Sequence, residues 1–223
     1  MLVKADMHIH SSFSDGRASP REILLYAISK GLSVISITDH DTFAGSVEAR
    51  KYAKNFEEKI VVIIGIELRV PQGDVLLYCY EPIETPRDLS VLIDYAHENN
   101  CLVVPAHPFD LLRLGIGDAI FEYKGWDAIE VWNASASKGA NKKAIEAAKI
   151  LDLPMLANSD AHIPEYIGVA YTMLEISELS IDGVFKAIKN NRVKPHYGYP
   201  PFRVFLKRIA WGIERIATKL LEK

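Results

Sequence analysis

Short apolar runs alternate with stretches of helical periodicity along most of this chain. Val3–His8, Val34–Thr38 and Ile60–Ile66 read as strands, while Ser19–Lys30 and Phe43–Asn55 between them carry helical spacing. The first helix is bracketed by local signals. Ser19 can cap it, Pro20 suits its first position, Glu22 completes a capping box, and Gly31 ends it. The alternation continues less regularly. Strands are expected over Val75–Tyr80, Leu102–Ala106, Ala128–Val131, Pro154–Ala157 and Ala170–Ile176, and helices over Leu89–Asn99, Asn141–Leu151 and Ile181–Asn190. Repeated strand–helix units predict an α/β fold with a mainly parallel sheet. About seven or eight strands suit a distorted (β/α) barrel. An open doubly wound sheet is the runner-up, but no Gly-rich phosphate turn follows the first strand.

Length and composition narrow this only a little. The chain has 223 residues, enough for one domain with a large core. A formal net charge of −3 argues against strong attraction to bulk nucleic acid or an anionic membrane. No secretory signal and no run long enough to span a bilayer is visible, so the chain reads as cytoplasmic. Cys79 and Cys101 form no C-x-x-C pair and sit in apolar, strand-like contexts. They are expected to be buried reduced thiols, and a sulfur-bound zinc site is not expected.

The positions of the polar residues carry the chemistry. His8 and His10 end the first strand, and Thr38, Asp39, His40 and Asp41 follow the second. Glu67 follows the third, His107 follows Leu102–Ala106, and Asp160 and His162 follow Pro154–Ala157. In a parallel barrel, all strand C-terminal ends meet on one face, which carries the active site. Any one of these residues alone reads as a turn, a cap or a surface feature. Their joint placement reads as a site. Imidazoles and carboxylates without thiolates suit zinc, manganese or iron, and so many ligands suit two or three ions better than one. Such ions activate water near neutral pH and neutralise phosphoryl oxygens, which makes phosphate-ester hydrolysis the natural chemistry. Amide hydrolysis is open to the same cluster.

The segments H8-I-H10-S-S-F-S-D15-G16, T38-D39-H40-D41, G65-I66-E67, H107-P108-F109 and N158-S159-D160-A161-H162 resemble, in order, the motifs of the PHP (polymerase and histidinol phosphatase) family. The resemblance runs from Met1 to about Ile176. It implies a distorted seven-stranded β/α barrel and a centre of two or three divalent ions. On matching positions it implies one metal on His8, His10, Glu67 and Asp160. A second would rest on Glu67 and His107, with Glu67 bridging. Asp15, His40 and His162 would hold a third and form the candidate catalytic set, with a metal-activated hydroxide as nucleophile. Many relatives carry a further histidine after the bridging glutamate. Here the stretch is G73-D74-V75-L76-L77-Y78, so the second position is weakly held, completed by water or substrate, or absent. Asp74 substitutes only in a different register. T38-D39-H40-D41-T42-F43-A44-G45 resembles the branch acting on nucleotides and short oligonucleotides. A small-metabolite phosphatase and a non-catalytic metal-binding module are the alternatives.

Other polar residues read as supporting. His97 reads as solvated and His196 as structural, while Arg113 is a phosphate contact by fork geometry or a solvated side chain. Glu130 and Asn133 orient a ligand histidine or cap a loop, and Asp39 and Asp41 support the site rather than ligate. Residues 1–200 are expected to form the barrel, and residues 201–223 an amphipathic helix. Phe205, Ile209, Ile213, Ile216 and Leu220 recur at helical spacing among Lys207, Arg208, Arg215 and Lys219. Docking of this helix on the barrel is the first reading and a homo-oligomer interface the second. A membrane-surface or nucleic-acid contact is the third.

Overall fold

The computed structural model describes residues 1–221, apart from the side chains of Lys219 and Leu221. Glu222 and Lys223, which close the expected C-terminal segment, lie outside the described residues. The strands are β1 (Leu2–Ile9), β2 (Val34–Ile37), β3 (Val61–Val70), β4 (Gly73–Cys79), β5 (Leu102–Pro105), β6 (Ile129–Asn133), β7 (Met155–Asn158), β8 (Tyr171–Glu175) and β9 (Val193–His196). The helices are α1 (Pro20–Ser29), α2 (Ala44–Ala53), α3 (Leu89–Glu98), α4 (Lys138–Leu151), α5 (Ile181–Lys189) and α6 (Phe202–Leu221). No helix among the described residues is long and apolar enough to cross a membrane.

A curled seven-stranded sheet in the order β5-β4-β3-β2-β1-β8-β9 forms most of the wall. A parallel β6-β7 ribbon lies against its open side, where the Met7 amide donates to Asn158 and Ile9 bridges to Ala161. The result is a distorted barrel with six helices. The sheet is not mainly parallel. β1-β2 and β2-β3 are parallel, but β3-β4, β4-β5, β1-β8 and β8-β9 are antiparallel. The cause is local: β3 runs past Ile66 to Val70 and turns through Pro71-Gln72 straight into β4. A connection this short permits only an antiparallel neighbour. Glu67 therefore lies within β3 rather than after it. β9 was not expected, because its Val-Lys-Pro-His sequence has little apolar content and it pairs only at the sheet edge.

Local signals at α1 produce the expected structure. Ser19 accepts from the Glu22 amide, Glu22 returns a bond to Ser19, and Gly31 follows at φ +70°. The barrel interior is apolar at its base. Ala5, Met7, Ile63, Leu76, Tyr78, Val104 and Leu156 meet there, closed from below by Val184, Phe185 and Ile188 of α5. A bulge in β1 between Asp6 and Ile9 changes which side chains face in. Val3, Ala5 and Met7 join the interior cluster, while Ile9 packs outside with Ile23 and Leu24 of α1. His8 and His10 consequently turn inward above the apolar base.

The two cysteines are not free thiols: Cys79 and Cys101 form a disulfide. The β4–β5 register explains it. Tyr78 pairs with Leu102, so Cys79 and Cys101 are the next opposed residues, with Cα atoms 4.3 Å apart. Their spacing of 22 residues spans α3 and hid this pairing in the sequence. Closing a loop of that length stabilises the chain by about 3 kcal/mol in the entropic account. The Cys79→Ala/Cys101→Ala protein should melt roughly 6–12 °C lower. Thiol titration of the unfolded, unreduced wild type should find no free thiol; two would contradict the bridge.

Candidate metal centre

All eight expected residues reach one mouth of the barrel. His8 comes from β1, His10 directly follows it, Asp15 and His40 come from the loops after β1 and β2, and Glu67 comes from β3. His107 follows β5, and Asp160 and His162 follow β7. His8, His10, Glu67, His107, Asp160 and His162 are buried, and His40 is the most exposed of the set. Asp15, His40, Glu67, His107, Asp160 and His162 line a cleft of about 190 Å³ bordered by Arg69, Asp74, Arg113 and Arg208, and the buried His8 and His10 stand against its Glu67 and Asp160.

The donor atoms form adjoining groups. His8 Nε2 lies 3.4 Å from Glu67 Oε2 and 3.7 Å from Asp160 Oδ1. His10 Nε2 lies 3.3 Å and 3.2 Å from the same two oxygens. Asp15 Oδ1 is 3.2 Å from His162 Nε2, 3.6 Å from His40 Nε2 and 3.7 Å from His10 Nδ1. Two ligands of one tetrahedral zinc ion are about 3.4 Å apart, given bonds near 2.1 Å. Atoms of the cleft also lack partners. His8 Nε2, both ring nitrogens of His10, Asp15 Oδ1 and Glu67 Oε2 are buried without a hydrogen bond. Burying so many unpaired polar atoms is costly unless something binds them. The residues present therefore fit divalent cations.

Three groups satisfy ligand spacing: His10, Asp15, His40 and His162; His8, Glu67 and His107; and His8, His10 and Asp160. Glu67 sits between them. Its Oε1 accepts from His107 Nε2 at 2.8 Å, and its Oε2 faces His40 Nδ1 at 3.0 Å. Asp74 does not stand in for the missing histidine. It lies opposite Arg69 in the β3–β4 register and is engaged by that guanidinium.

Electrostatics favour the ligating form of Glu67, Asp160 and His162. Burial pushes the Glu67 carboxyl up, but the positive field of His8 and the close His10, His107 and His40 rings hold it well below the usual range. For Asp160, burial is likewise outweighed, here by Arg113, His8 and His162. Burial and the neighbouring His10 push His162 well below the ordinary imidazole value, which favours the neutral ring a metal requires. Its Nδ1 donates to the Asp160 carbonyl at 3.0 Å, turning Nε2 toward Asp15.

A second layer fixes these groups. Glu130 is fully buried; its Oε1 accepts from His8 Nδ1 at 2.9 Å and from Asn158 Nδ2 at 2.9 Å. Its Oε2 accepts from the His107 amide at 2.8 Å and from Asn133 Nδ2 at 3.1 Å. Glu130 thus orients the His8 ring, while Asn133 steadies Glu130 and also caps the following loop by accepting from the Ser135 amide, so each of the two expected readings is found. Asp39 accepts from the Ser11 amide, the Ser11 hydroxyl and the Ser14 hydroxyl, which holds the loop that carries Asp15. Gly16 and Gly45 are required there: a Cβ would stand 2.0 Å from the His10 carbonyl oxygen and 1.9 Å from Asp39 Oδ2, respectively. Asp41 accepts from the Arg69 amide and Arg87. His107 and Asp160 both hold left-handed backbone, at φ 31° and 50°, strain of the kind stored at functional sites. His97 pairs with Asp127, and His196 stacks on Tyr171, both away from the cleft.

Several contributors were not legible beforehand. Asp6 anchors the Ser159 and Gly168 amides beneath the cleft. Asn158 was quoted within a motif, but its bond to Glu130 needs the β6–β7 pairing. Helix α6 turns its Arg208–Trp211–Arg215 face to the mouth. Arg215 pairs with Asp15 Oδ2 at 2.7 Å, and Trp211 Nε1 donates to the Asp15 carbonyl at 3.0 Å. The spacing of these three residues at i, i+3 and i+7 was the available signal. The expected apolar stripe does not pack into the core, since Phe205, Ile209, Ile213, Ile216 and Leu220 are all exposed.

Glu130→Gln should lower divalent-metal affinity about 10- to 100-fold, read by chelator competition with circular dichroism confirming the fold. An unchanged affinity would remove Glu130 from its orienting role.

Known proteins match this architecture. The PHP domain model matches residues 6–118, and a PHP-associated model matches residues 138–193. An uncharacterised protein of Methanocaldococcus jannaschii is 32% identical over 167 residues, covering 70% of this chain and 96% of its own. A 5'-3' exoribonuclease of Haemophilus influenzae is 44% identical over 68 residues, 30% of this chain and 24% of that one. Among solved structures, a two-domain protein from Bacteroides vulgatus contains a predicted PHP-like metal-dependent phosphoesterase. It superposes with a TM-score of 0.75 at 23% identity, covering 89% of this chain and 65% of that one. This chain thus spans slightly less than two thirds of that two-domain protein. With the motifs, the donor geometry and the family model all falling on the same residues, the chain belongs to the PHP domain family.

Proposed function

We propose that this protein is a metal-dependent phosphoesterase acting on nucleotides or short oligonucleotides. The observation that carries the reading is the cluster of buried, unpartnered donor atoms of His8, His10, Asp15 and Glu67, the last two of which line one narrow cleft. His8, His10, Glu67 and Asp160 would hold one ion, Glu67 and His107 a second, and Asp15, His40 and His162 a third. The geometry also supports His8 joining His107, and His10 joining Asp15. Divalent ions bound here supply an activated water and neutralise phosphoryl oxygens.

The chain's own residues do the rest. Glu130 and the Asp160 carbonyl fix the His8 and His162 rings by accepting hydrogen bonds from their Nδ1–H groups, which leaves Nε2 as the ligating atom. Arg113 reaches the cleft from the loop after β5. Its Nε donates to the Ser135 carbonyl and its Nη1 to Asp160, which leaves further N–H groups for phosphoryl oxygens. The apolar base below the histidines keeps bulk water out. The nucleotide class rests on the Thr38–Gly45 segment and on the partial likeness to an exoribonuclease.

Protein loaded with manganese or zinc should release phosphate or mononucleotides from nucleoside monophosphates, nucleoside bisphosphates or short RNA, and chelation should stop it. His40→Ala and Asp160→Ala should each lower kcat/KM by about two orders of magnitude or more. Full activity in either variant would sink the ligand assignment. Turnover of a histidinol-phosphate-like ester alone would move the substrate to small metabolites. Bound metal without turnover of any ester would leave a binding module.

A further inference from the structure

A second cavity of about 500 Å³ opens beside the metal cleft, between α6 and the loops after β6, β7 and β9. That volume lies in the range of pockets that hold small organic ligands, roughly 300–1,000 Å³. Its wall includes Tyr166, Tyr199, Phe202 and Phe205, and it shares Arg113 and Arg208 with the cleft. The two spaces therefore meet at a pair of guanidinium groups.

Those two arginines are unequally satisfied. Arg113 is spoken for in part by Asp160 Oδ2 and the Ser135 carbonyl. Arg208 has a buried Nε without any hydrogen-bond partner among the described residues. Burial disfavours its charge, Asp160 offsets this in part, and the nearby Arg113 disfavours it further. Two cations held together, one with an unused buried donor, leave a place for an anion with several acceptor oxygens. A phosphate satisfies a planar N–H fork with two parallel bonds, and arginine is the residue suited to that geometry.

The aromatic wall differs from an ordinary packed core. Phe202 and Phe205 are 72% and 45% exposed, although both border the cavity. Tyr199 is held in place by its contact with the Trp132 ring and by a hydrogen bond from Asn141 to its hydroxyl. Exposed ring faces beside a fixed tyrosine offer stacking to a flat π-system, and they offer it at the right side of a phosphate site.

We propose that α6 completes the substrate site: Arg208 and Arg113 bind a substrate phosphate where the two spaces meet, and the aromatic-walled cavity receives the nucleobase attached to it. The proposal rests on the phosphoesterase reading above and specifies its substrate. The C-terminal helix then has a job at the barrel mouth, since its polar face carries a phosphate ligand and its first turn carries the base platform.

Non-hydrolysable phosphonates separate the two contributions in the metal-loaded protein. Calorimetry would compare the phosphonate analogues of adenosine monophosphate and ribose 5-phosphate with hexylphosphonate. The adenosine analogue should bind on the order of tenfold tighter than the other two. Phe202→Ala/Phe205→Ala should erase that preference while leaving the ribose analogue's affinity unchanged. Arg208→Gln should weaken all three by about tenfold, and Arg208→Lys should restore part of the loss. Equal affinities for the three ligands would overturn the base cavity, and wild-type binding in Arg208→Gln would overturn the phosphate role. Ester hydrolysis measured on the same preparations keeps the two readings apart. Turnover without base preference sinks only this inference, and base preference without turnover sinks only the phosphoesterase reading.

Discussion

The architecture turns on one buried carboxylate. Glu67 is enclosed at the barrel mouth with His8, His10, His40 and His107 around it, and one of its oxygens has no hydrogen bond. An ionised carboxylate in that position is tolerated only because cationic or metal-bound groups compensate for lost water. The strand that delivers it is correspondingly firm. β3 is paired on both sides, and Ile63 and Glu67 of alternate positions face the interior, the first into the apolar base and the second into the cleft. The barrel is thus divided by height: hydrocarbon below, charge above.

Maintaining that division requires a second set of buried polar residues. Glu130 touches His8, the His107 backbone, Asn133 and Asn158, so four segments of chain share one carboxylate. Asp39 does the same for the loop bearing Asp15, and Asp6 for the loop after β7. Each of these acids is saturated by donors, unlike those lining the cleft. That contrast separates groups that hold the site from groups that await a ligand.

The mouth is also where α6 departs from ordinary amphipathic packing. Its arginine and tryptophan face meets the barrel while several aliphatic side chains remain outside. The electrostatic reason lies in the cleft, where Asp15 attracts Arg215 and accepts from Trp211. The apolar stripe that periodicity assigns to a barrel contact is therefore displaced by charge pairing at the site rim.

The ligand set and the barrel class were legible in the sequence because they depend on residue type and on position relative to apolar runs. His8, His10, His40, His107, Asp160 and His162 stand at strand ends, and local order is enough to place strand ends on one face. The cap at Ser19 and Glu22 was legible for the same reason, being a contact within one turn. What the sequence left undetermined concerns partners distant along the chain. The Cys79–Cys101 bridge needs the β4–β5 register, the inward turn of His8 and His10 needs the β1 bulge, and Glu130's role needs β6 and β1 facing one barrel interior. The orientation of α6 was decided by a competition between apolar burial and ion pairing that no periodicity expresses. The sequence by itself determined which donors this protein possesses and at which rim they gather. Only the tertiary structure decided how they share ligands and what stands beside them, because those outcomes depend on distances between segments far apart in the chain.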